Sequence, residues 1–273
     1  MLNYFSVDVE DWFCVSNLSR VIDRRNWDSC ELRVGIGLNQ ILDLLEIHKV
    51  KATFFVLGWI AERVPDLIRK IDEAGHEIGI HGYGHSLLSQ MDKEEFRIDV
   101  GKALDCVRDC GVKQKILGYR APSFTLKPET FWALEVLEEY GLKYDSSVFP
   151  ISFHPDYGVP DAPLKPYKIS AGITEFPLSC AEFFGMRLPC SGGGYFRIFP
   201  YAYTRYCIRN CNNNGRPVVF YIHPWELDPG QPRVELPLTK RFRHYRNLGG
   251  TRGRLERLLD DFRFTCIREG LEL

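Results

Sequence analysis

The chain has 273 residues, a formal net charge of −1 and 45% hydrophobic residues. This length suits one large α/β domain, because α/β barrels commonly run to about 250 residues. The near-zero charge offers no basic surface for nucleic acid, and no apolar run approaches the roughly 20 residues that cross a bilayer. Because the first residues lack a basic stretch followed by an apolar one, we expect a cytoplasmic protein, or one held peripherally at the inner membrane.

Short strand-like runs alternate with helical stretches along most of the chain. Such repeated units predict parallel strands with helices outside, either as a barrel or as an open sheet. Residues 150–200 have a looser pattern that is rich in proline and glycine. The predicted strands lie within 3–9, 51–58, 76–81, 115–124, 143–150, 217–225 and 263–267, and the predicted helices within 32–50, 59–75, 89–111, 127–142, 200–213 and 251–262.

Most of the reactive side chains follow directly after predicted strands. In parallel α/β folds the catalytic groups gather at the carboxyl ends of the strands, where loops from several strands meet. Such a fold would therefore bring together side chains that are far apart in the sequence. The residues that this rule selects are Asp8, Glu10, Asp11, His81, His85, Arg120, Asp145 and His223.

The pair His81 and His85 predicts a divalent-metal site. Neutral imidazole is the commonest nitrogen ligand of zinc, and catalytic zinc sites use about three protein ligands. The glycines between the two histidines would let the chain bend so that both rings face one ion. One carboxylate of the stretch DVED (8–11) would supply a third ligand, and another would act as general base.

Two further polar residues would complete a hydrolytic site. Arg120, in GYRAPSF, would hold a carboxylate base ionised and oriented through a charge-assisted hydrogen bond. His223, in YIHPW, follows an apolar strand, and its imidazole would protonate a leaving amine. Taken alone, each residue also has a structural interpretation, as a surface arginine or as a packed core histidine.

The glycine-rich segment PCSGGGYFRIFP (189–200) allows two interpretations. Three consecutive glycines would permit close backbone approach to a ligand, with Tyr195 stacking on a sugar face and Arg197 nearby. The alternative is a flexible turn between strands. Trp12 and Trp225 flank the predicted catalytic residues and are further candidates for a sugar platform.

The order of these motifs resembles that of the polysaccharide deacetylases, the NodB-homology or carbohydrate esterase family 4 proteins. The shared features are an acid-rich first strand, His-x-x-x-His at 81–85, Arg-x-Pro at 120–122, an aspartate after a later strand, and a hydrophobic-x-His pattern that ends at His223. The segments YIHPWELDPGQPR and FRHYRNLGGTRGRLERLLDDFRF further resemble the deacetylases of exosortase-linked exopolysaccharide clusters.

This resemblance implies a fold, an activity and a cofactor. The fold would be a distorted (β/α) barrel of parallel strands over residues 1–225, with 226–273 as a C-terminal extension packed on it in the same globular unit. The activity would be a metal-dependent N-deacetylase that hydrolyses the acetamide of N-acetyl amino sugars in an exopolysaccharide or its precursor, releasing acetate. The expected cofactor is Zn²⁺ and the expected partner is an N-acetylated saccharide, and a homo-oligomer is allowed.

The resemblance also implies roles for individual residues. The general base would be Asp8, supported by Arg120, and the general acid would be His223. A backbone N–H near Ser123 would help to hold the oxyanion. Asp145 would orient His223 or bind substrate. The metal ligands would be His81 and His85 with either Glu10 or Asp11.

Two other functions are compatible with the sequence. The spaced acids of DVED are similar to a variant of the family that includes hydrolases of small cyclic amides, some of them without a metal. The third hypothesis is a catalytically inactive sugar-binding module, although such a protein would not need a base, an acid and a metal pair. Turnover of N-acetylated saccharides compared with that of cyclic imides separates the first two.

Overall fold

Parallel strands with helices between them form the centre of the molecule. The computed structural model describes residues 1–152 and 157–271. In those residues the main sheet contains β1 (Leu2–Val9), β2 (Thr53–Val56), β3 (Glu77–Ile80), β4 (Gly118–Tyr119), β5 (Tyr144–Asp145), β6 (Tyr167–Lys168), β7 (Thr174–Glu175), β10 (Val219–Ile222) and β11 (Arg263–Thr265), and a separate hairpin is formed by β8 (Cys180–Phe183) and β9 (Met186–Pro189).

The helices surround this sheet and connect its strands. Amphipathic sequences such as that of α1 bury one apolar face against the sheet, which is the main source of helix stability in a protein of this kind. No helix in the described residues is both long and apolar enough to cross a membrane. The helices are α1 (Val34–Ile47), α2 (Gly58–Arg63), α3 (Pro65–Glu73), α4 (Lys93–Asp109), α5 (Trp132–Glu139), α6 (Gly193–Ile198), α7 (Tyr201–Asn213), α8 (Leu238–Tyr245) and α9 (Leu248–Asp261).

The strand order confirms the predicted fold class. Neighbouring strands follow the order β10-β1-β2-β3-β4-β5-β7-β6, and β11 pairs with the start of β1. All of these pairs are parallel except that of β6 with β7. The sheet is therefore a curled, open half-barrel, in which the carboxyl ends of β1, β3, β4 and β10 share one edge.

Several elements differ from the sequence prediction for local reasons. The helix expected over 59–75 is two helices, because Pro65 lacks an amide hydrogen and restricts Val64, which adopts φ −132° and ψ 53°. The helix expected from residue 89 begins after Asp92, whose side chain accepts hydrogen bonds from the Glu94 and Glu95 amides in a capping box. The loose region 150–200 contains the β8–β9 hairpin, and the predicted loop after 225 contains α8.

The C-terminal residues pack on the same sheet as the N-terminal ones. β11 pairs with Leu2–Tyr4 of β1, and the Ile267 amide donates a hydrogen bond to Thr53 Oγ1 at 2.7 Å. Helix α1 packs against the turn 224–227 that follows β10. At this crossing a Cβ on Gly37 would lie 1.8 Å from the carbonyl oxygen of Pro224. Only glycine lets α1 approach the turn so closely.

Substitution of Gly37 by alanine is expected to lower the free energy of unfolding. The added methyl group would collide with backbone, which has no rotamer by which to move away, so a loss of about 1–3 kcal/mol is expected. Gly253 in α9 is the matched control, since a Cβ there meets nothing within 4 Å. Gly253→Ala is expected to raise stability by roughly 0.5–1 kcal/mol in chemical denaturation. A neutral Gly37→Ala would contradict the close crossing.

Candidate active site

The shared sheet edge brings most of the predicted polar residues into one cavity of about 140 Å³. Asp8 lies in β1, Glu10 follows that strand, His81 follows β3 and His223 follows β10. Because these strands are parallel and in register, their carboxyl ends lie side by side. The residues of the cavity wall that matter for the chemistry are Asp8, Glu10, His81, His85, Ser123 and His223.

The loop between His81 and His85 is shaped by left-handed backbone. Gly82 has φ +70° and His85 has φ +56°, so the segment after β3 is not helical. This bend brings the imidazole rings of His81 and His85 to 5.5 Å between their centroids. His81 Nδ1 lies 2.8 Å from the carbonyl oxygen of Arg120, which can only accept a hydrogen bond. The His81 proton is therefore on Nδ1, and its Nε2 lone pair is left for a ligand.

The carboxylate of Glu10 lies between the rings of His85 and His223. Its Oε2 is 3.2 Å from His85 Nε2, and its Oε1 is 3.1 Å from His223 Nε2. Burial by itself would raise the pKa of Glu10, but His85, a hydrogen bond from His223 and the His223 charge together lower it to about 2. Burial lowers the pKa of His85 to about 4, against the opposing effect of Glu10. An ionised carboxylate thus faces a neutral imidazole, which is the protonation state that metal ligands require.

The geometry of this group fits a divalent ion. One ligand atom each from Glu10, His81 and His85 lies within 4.8 Å of the others. Glu10 Oε2 is buried and accepts no hydrogen bond from any residue of the described chain, so a strong acceptor remains for a cation. Two imidazoles and one carboxylate are a donor set that suits catalytic zinc.

Asp11, the alternative third ligand, has another function in the structure. Its Oδ1 accepts a hydrogen bond from the Trp12 amide at 2.7 Å, and its Oδ2 accepts from the Arg33 and Val34 amides at 2.7 and 2.8 Å. These last two amides lie at the start of α1, where unpaired N–H groups favour an acceptor. Asp11 therefore anchors α1, and the carboxylate that joins the two histidines is Glu10.

Asp8 is held by a fully buried arginine. Arg120 Nη1 donates to Asp8 Oδ1 at 2.7 Å and to Ser6 Oγ at 2.8 Å. Its other nitrogens donate to the carbonyl and hydroxyl oxygens of Ser146, both at 2.8 Å. The partners of the guanidinium are thus a backbone carbonyl and the short side chains of Ser6, Asp8 and Ser146, which hold it in a fixed orientation. Asp8 is thereby oriented, with its second oxygen Oδ2 3.8 Å from His223 Nε2.

His223 is oriented by Glu226, which sequence analysis missed. His223 Nδ1 is 2.6 Å from Glu226 Oε1, and Glu226 also pairs with Arg197. Burial would lower the pKa of His223, but hydrogen bonds to Glu10 and Glu226 outweigh it and raise the pKa to about 10. His223 is therefore an imidazolium at neutral pH. The spacing of His223 and Glu226 could have indicated this contact, because a glutamate three residues after a helix N-cap is typical of a capping box. In the structure the His223 amide donates a hydrogen bond to Glu226 at 3.1 Å.

Arg197, expected near a sugar, is committed to the protein itself. Its guanidinium contacts Glu226 and donates to the carbonyl oxygens of Arg243, His244 and Arg246 at 3.1, 2.8 and 2.9 Å. The glycine-rich segment is therefore neither a flexible turn nor a source of a free arginine. It forms α6 and carries the cation that holds Glu226 in place.

Asp145 does not contact His223, in contrast to the expected orienting role. Its Oδ2 accepts a hydrogen bond from Ser147 Oγ at 2.7 Å, and Ser147 Oγ in turn accepts from the Ala121 amide at 2.7 Å. Burial raises the pKa of Asp145 to about 6, and burial together with the Asp145 charge raises that of Glu175 further. Asp145 thus stabilises the loop after β4 through Ser147.

The remaining predicted sugar contacts occupy different positions. Ser123 lines the cavity with a left-handed backbone (φ 53°), and its Oγ is 2.5 Å from Ser16 Oγ. Trp225 also lines the cavity, and its ring stacks on His223 at 5.3 Å and on His244 at 4.6 Å. Tyr195 is not a wall residue and packs near Phe149.

Comparison with known proteins bears directly on this arrangement. A profile described as polysaccharide deacetylase matches residues 36–144, and one described as a domain of unknown function, DUF3473, matches residues 146–272. Residues 36–144 are therefore similar to the polysaccharide deacetylase family. The stretch matched to this family contains His81, His85 and Arg120, whereas His223 and Glu226 lie in the DUF3473 stretch.

Individual relatives are more distant. The peptidoglycan-N-acetylglucosamine deacetylase of Bacillus cereus is 38% identical over 89 residues, which cover 33% of this chain and 30% of that protein. A Mycobacterium smegmatis structure described as a candidate polysaccharide deacetylase has a TM-score of 0.61 and 22% identity, covering 97% of this chain and 87% of that one. A Bacillus anthracis pseudoenzyme of the CE4 family has a TM-score of 0.52 and 13% identity, covering 98% and 64%. At these identities the two structures show the shared deacetylase fold.

Metal binding should depend on Glu10 and the two histidines but not on Asp11. We expect about one divalent ion per wild-type chain by elemental analysis, and its loss in His81→Ala or His85→Ala. Glu10→Gln should weaken binding by more than the roughly 10- to 100-fold cost of removing an outer-shell partner. Asp11→Asn is the matched control and should retain the ion. Loss of the ion in Asp11→Asn but not in Glu10→Gln would show that the ligand set is wrong.

Glu226 should set the protonation of His223. In metal-free protein, Glu226→Gln removes a buried anion beside the imidazolium, so the pKa of His223 should fall by about one pH unit or more. NMR titration of the His223 ring measures this change directly. The exposed Glu235 serves for comparison, since Glu235→Gln should leave the titration unchanged. An unaltered titration in Glu226→Gln would refute the electrostatic coupling.

Proposed function

We propose that this protein is a metal-dependent N-deacetylase that removes acetate from N-acetyl amino sugars of an exopolysaccharide or its precursor. The observation that carries the proposal is the presence of two opposed proton-transfer groups on one cavity. Asp8, oriented by Arg120, lies 3.8 Å from His223, which is oriented by Glu226, and Glu10 and the histidine pair line the same cavity. Hydrolysis of an amide needs such a base and acid in one site.

The reaction uses each of these groups once. A divalent ion held by Glu10, His81 and His85, which we propose to be zinc, would polarise the acetamide carbonyl and acidify water. Asp8 accepts the proton of the attacking water, and Arg120 keeps its carboxylate in position. His223 gives its Nε2 proton to the sugar nitrogen as the carbon–nitrogen bond breaks. The products are acetate, formed as the released acetic acid loses its proton, and a free amine. The proton that Asp8 accepted passes to the now neutral His223, directly or through solvent, which restores both groups.

The C-terminal residues 226–273 help to hold the residue that orients His223. Arg197 holds Glu226 and also binds three carbonyl oxygens of the segment 243–246, so α8 is tied to the residue that orients the acid. We therefore propose that 226–273 is part of one globular unit with 1–225. The resemblance of residues 221–233 to exopolysaccharide-linked deacetylases supports an exopolysaccharide as the substrate rather than an unrelated amide.

Acetate release tests this function. The metal-loaded protein should release acetate from N-acetylglucosamine oligosaccharides, and Asp8→Asn should lower kcat by about 100-fold or more while the metal is retained. Asp43→Asn, on the exposed face of α1, is the control and should keep full activity. Turnover of a cyclic imide without acetate release would favour the small-amide hydrolase. Saccharide binding without turnover would favour an inactive module.

A further inference from the structure

A second cavity adjoins the candidate active site. It has a volume of about 320 Å³ and shares two wall residues, Ser16 and His85, with the catalytic cavity. A ligand longer than one sugar could therefore occupy both cavities at once. The walls of this second cavity combine parts of the largely buried rings of Phe13 and Trp27 with the hydroxyl and amide groups of Ser19, Ser86 and Gln90. Apolar walls with a few placed polar groups are typical of small-molecule binding sites.

A positioned arginine stands at this second cavity. The Arg24 guanidinium carbon lies 5.3 Å from the ring centroid of Tyr83 and 5.9 Å from that of Trp27, and Nη1 is 3.4 Å from Ser86 Oγ. The guanidinium also lies over Gly84, where a Cβ would come within 1.7 Å of its central carbon. The two aromatic rings thus hold an exposed cation beside the loop that carries His81 and His85, in space that is open because residue 84 is glycine.

The nearby carboxylates leave this charge without an ion-pair partner in the described chain. Asp23 also lines the cavity, but Arg25 binds it through Nε–Oδ1 at 3.0 Å and Nη2–Oδ2 at 2.8 Å. Asp99 is buried and accepts a hydrogen bond from the Tyr83 amide at 2.9 Å, and its burial raises its pKa against the opposing effects of that hydrogen bond and of the Arg24 charge, with which it forms no direct ion pair. Among residues 1–152 and 157–271, Arg24 forms no ion pair.

We propose that this second cavity binds a sugar residue bearing a carboxylate, next to the N-acetylated residue in the catalytic cavity, with Arg24 pairing with that carboxylate. The planar guanidinium matches a carboxylate in a two-point hydrogen bond, which gives specificity as well as affinity. The inference rests on the proposed function and names its substrate class as an acidic polysaccharide. Hexuronic acids and the lactyl ether of muramic acid are two sources of such a carboxylate next to an N-acetylated sugar.

Binding of matched tetrasaccharides tests the proposal without turnover. In metal-loaded protein carrying Asp8→Asn, calorimetry would compare N-acetylglucosamine tetramer, hyaluronan tetrasaccharide and a peptide-free tetrasaccharide of N-acetylglucosamine and N-acetylmuramic acid. We expect at least one acidic ligand to bind more tightly than the neutral one, with an advantage that shrinks at high salt. Arg24→Gln should remove about tenfold of that advantage. Arg20→Gln, the same charge change at an exposed position in the same loop, should not alter it.

Each outcome is informative. Preference for hyaluronan identifies a hexuronate, and preference for the muramic ligand identifies a lactyl carboxylate. Arg24→Lys keeps the charge without the planar fork, so partial recovery of the preference relative to Arg24→Gln distinguishes ligand binding from a merely structural role. Equal affinities for all three ligands, or an equal loss for all three in Arg24→Gln, would overturn the proposal. If Arg24-dependent binding is present but the wild-type protein releases no acetate, the proposed function alone fails.

Discussion

The buried guanidinium of Arg120 is the interaction on which the site depends. It bonds to Ser6 and Asp8 of β1 and to Ser146 after β5, so it ties three strand ends together at one edge of the sheet. A buried charge is tolerated only where its partners are in place, and removal of one partner typically costs about 3–5 kcal/mol. The same bonds that stabilise the sheet edge thus also orient the carboxylate that faces the cavity.

A second buried arginine–carboxylate pair, Arg197 with Glu226, orients His223 in the same cavity. Glu10 together with Glu226 raises the pKa of His223, while Arg120 pairs with Asp8. One cavity therefore carries an imidazolium and a carboxylate whose environments differ in charge. This separation of roles between neighbouring groups is the usual basis for acid and base chemistry at a single pH.

The sequence predicted which residues lie together at the strand ends better than it predicted the contacts that hold them in place. Strand endings at Asp8, His81, Arg120 and His223 were readable because parallel strands must end at a common edge. The part played by Glu226 was not predicted, since its position depends on a tight turn after β10 and on a cation from α6. The expected contact of Asp145 with His223 is absent for a related reason: its position at a strand end does not show toward which neighbour its side chain bends.

The sequence by itself determined the fold class, the alternation of strands and helices in the first half and the residue types available for catalysis, because periodicity and strand-end placement are local properties. Only the tertiary structure decided between Glu10 and Asp11, since that choice depends on where the start of α1 meets the chain after β1. It likewise decided that Arg197 supports Glu226, because a guanidinium can reach a sugar or a buried carboxylate from the same backbone position. Packing between distant segments, which no local pattern encodes, made both choices.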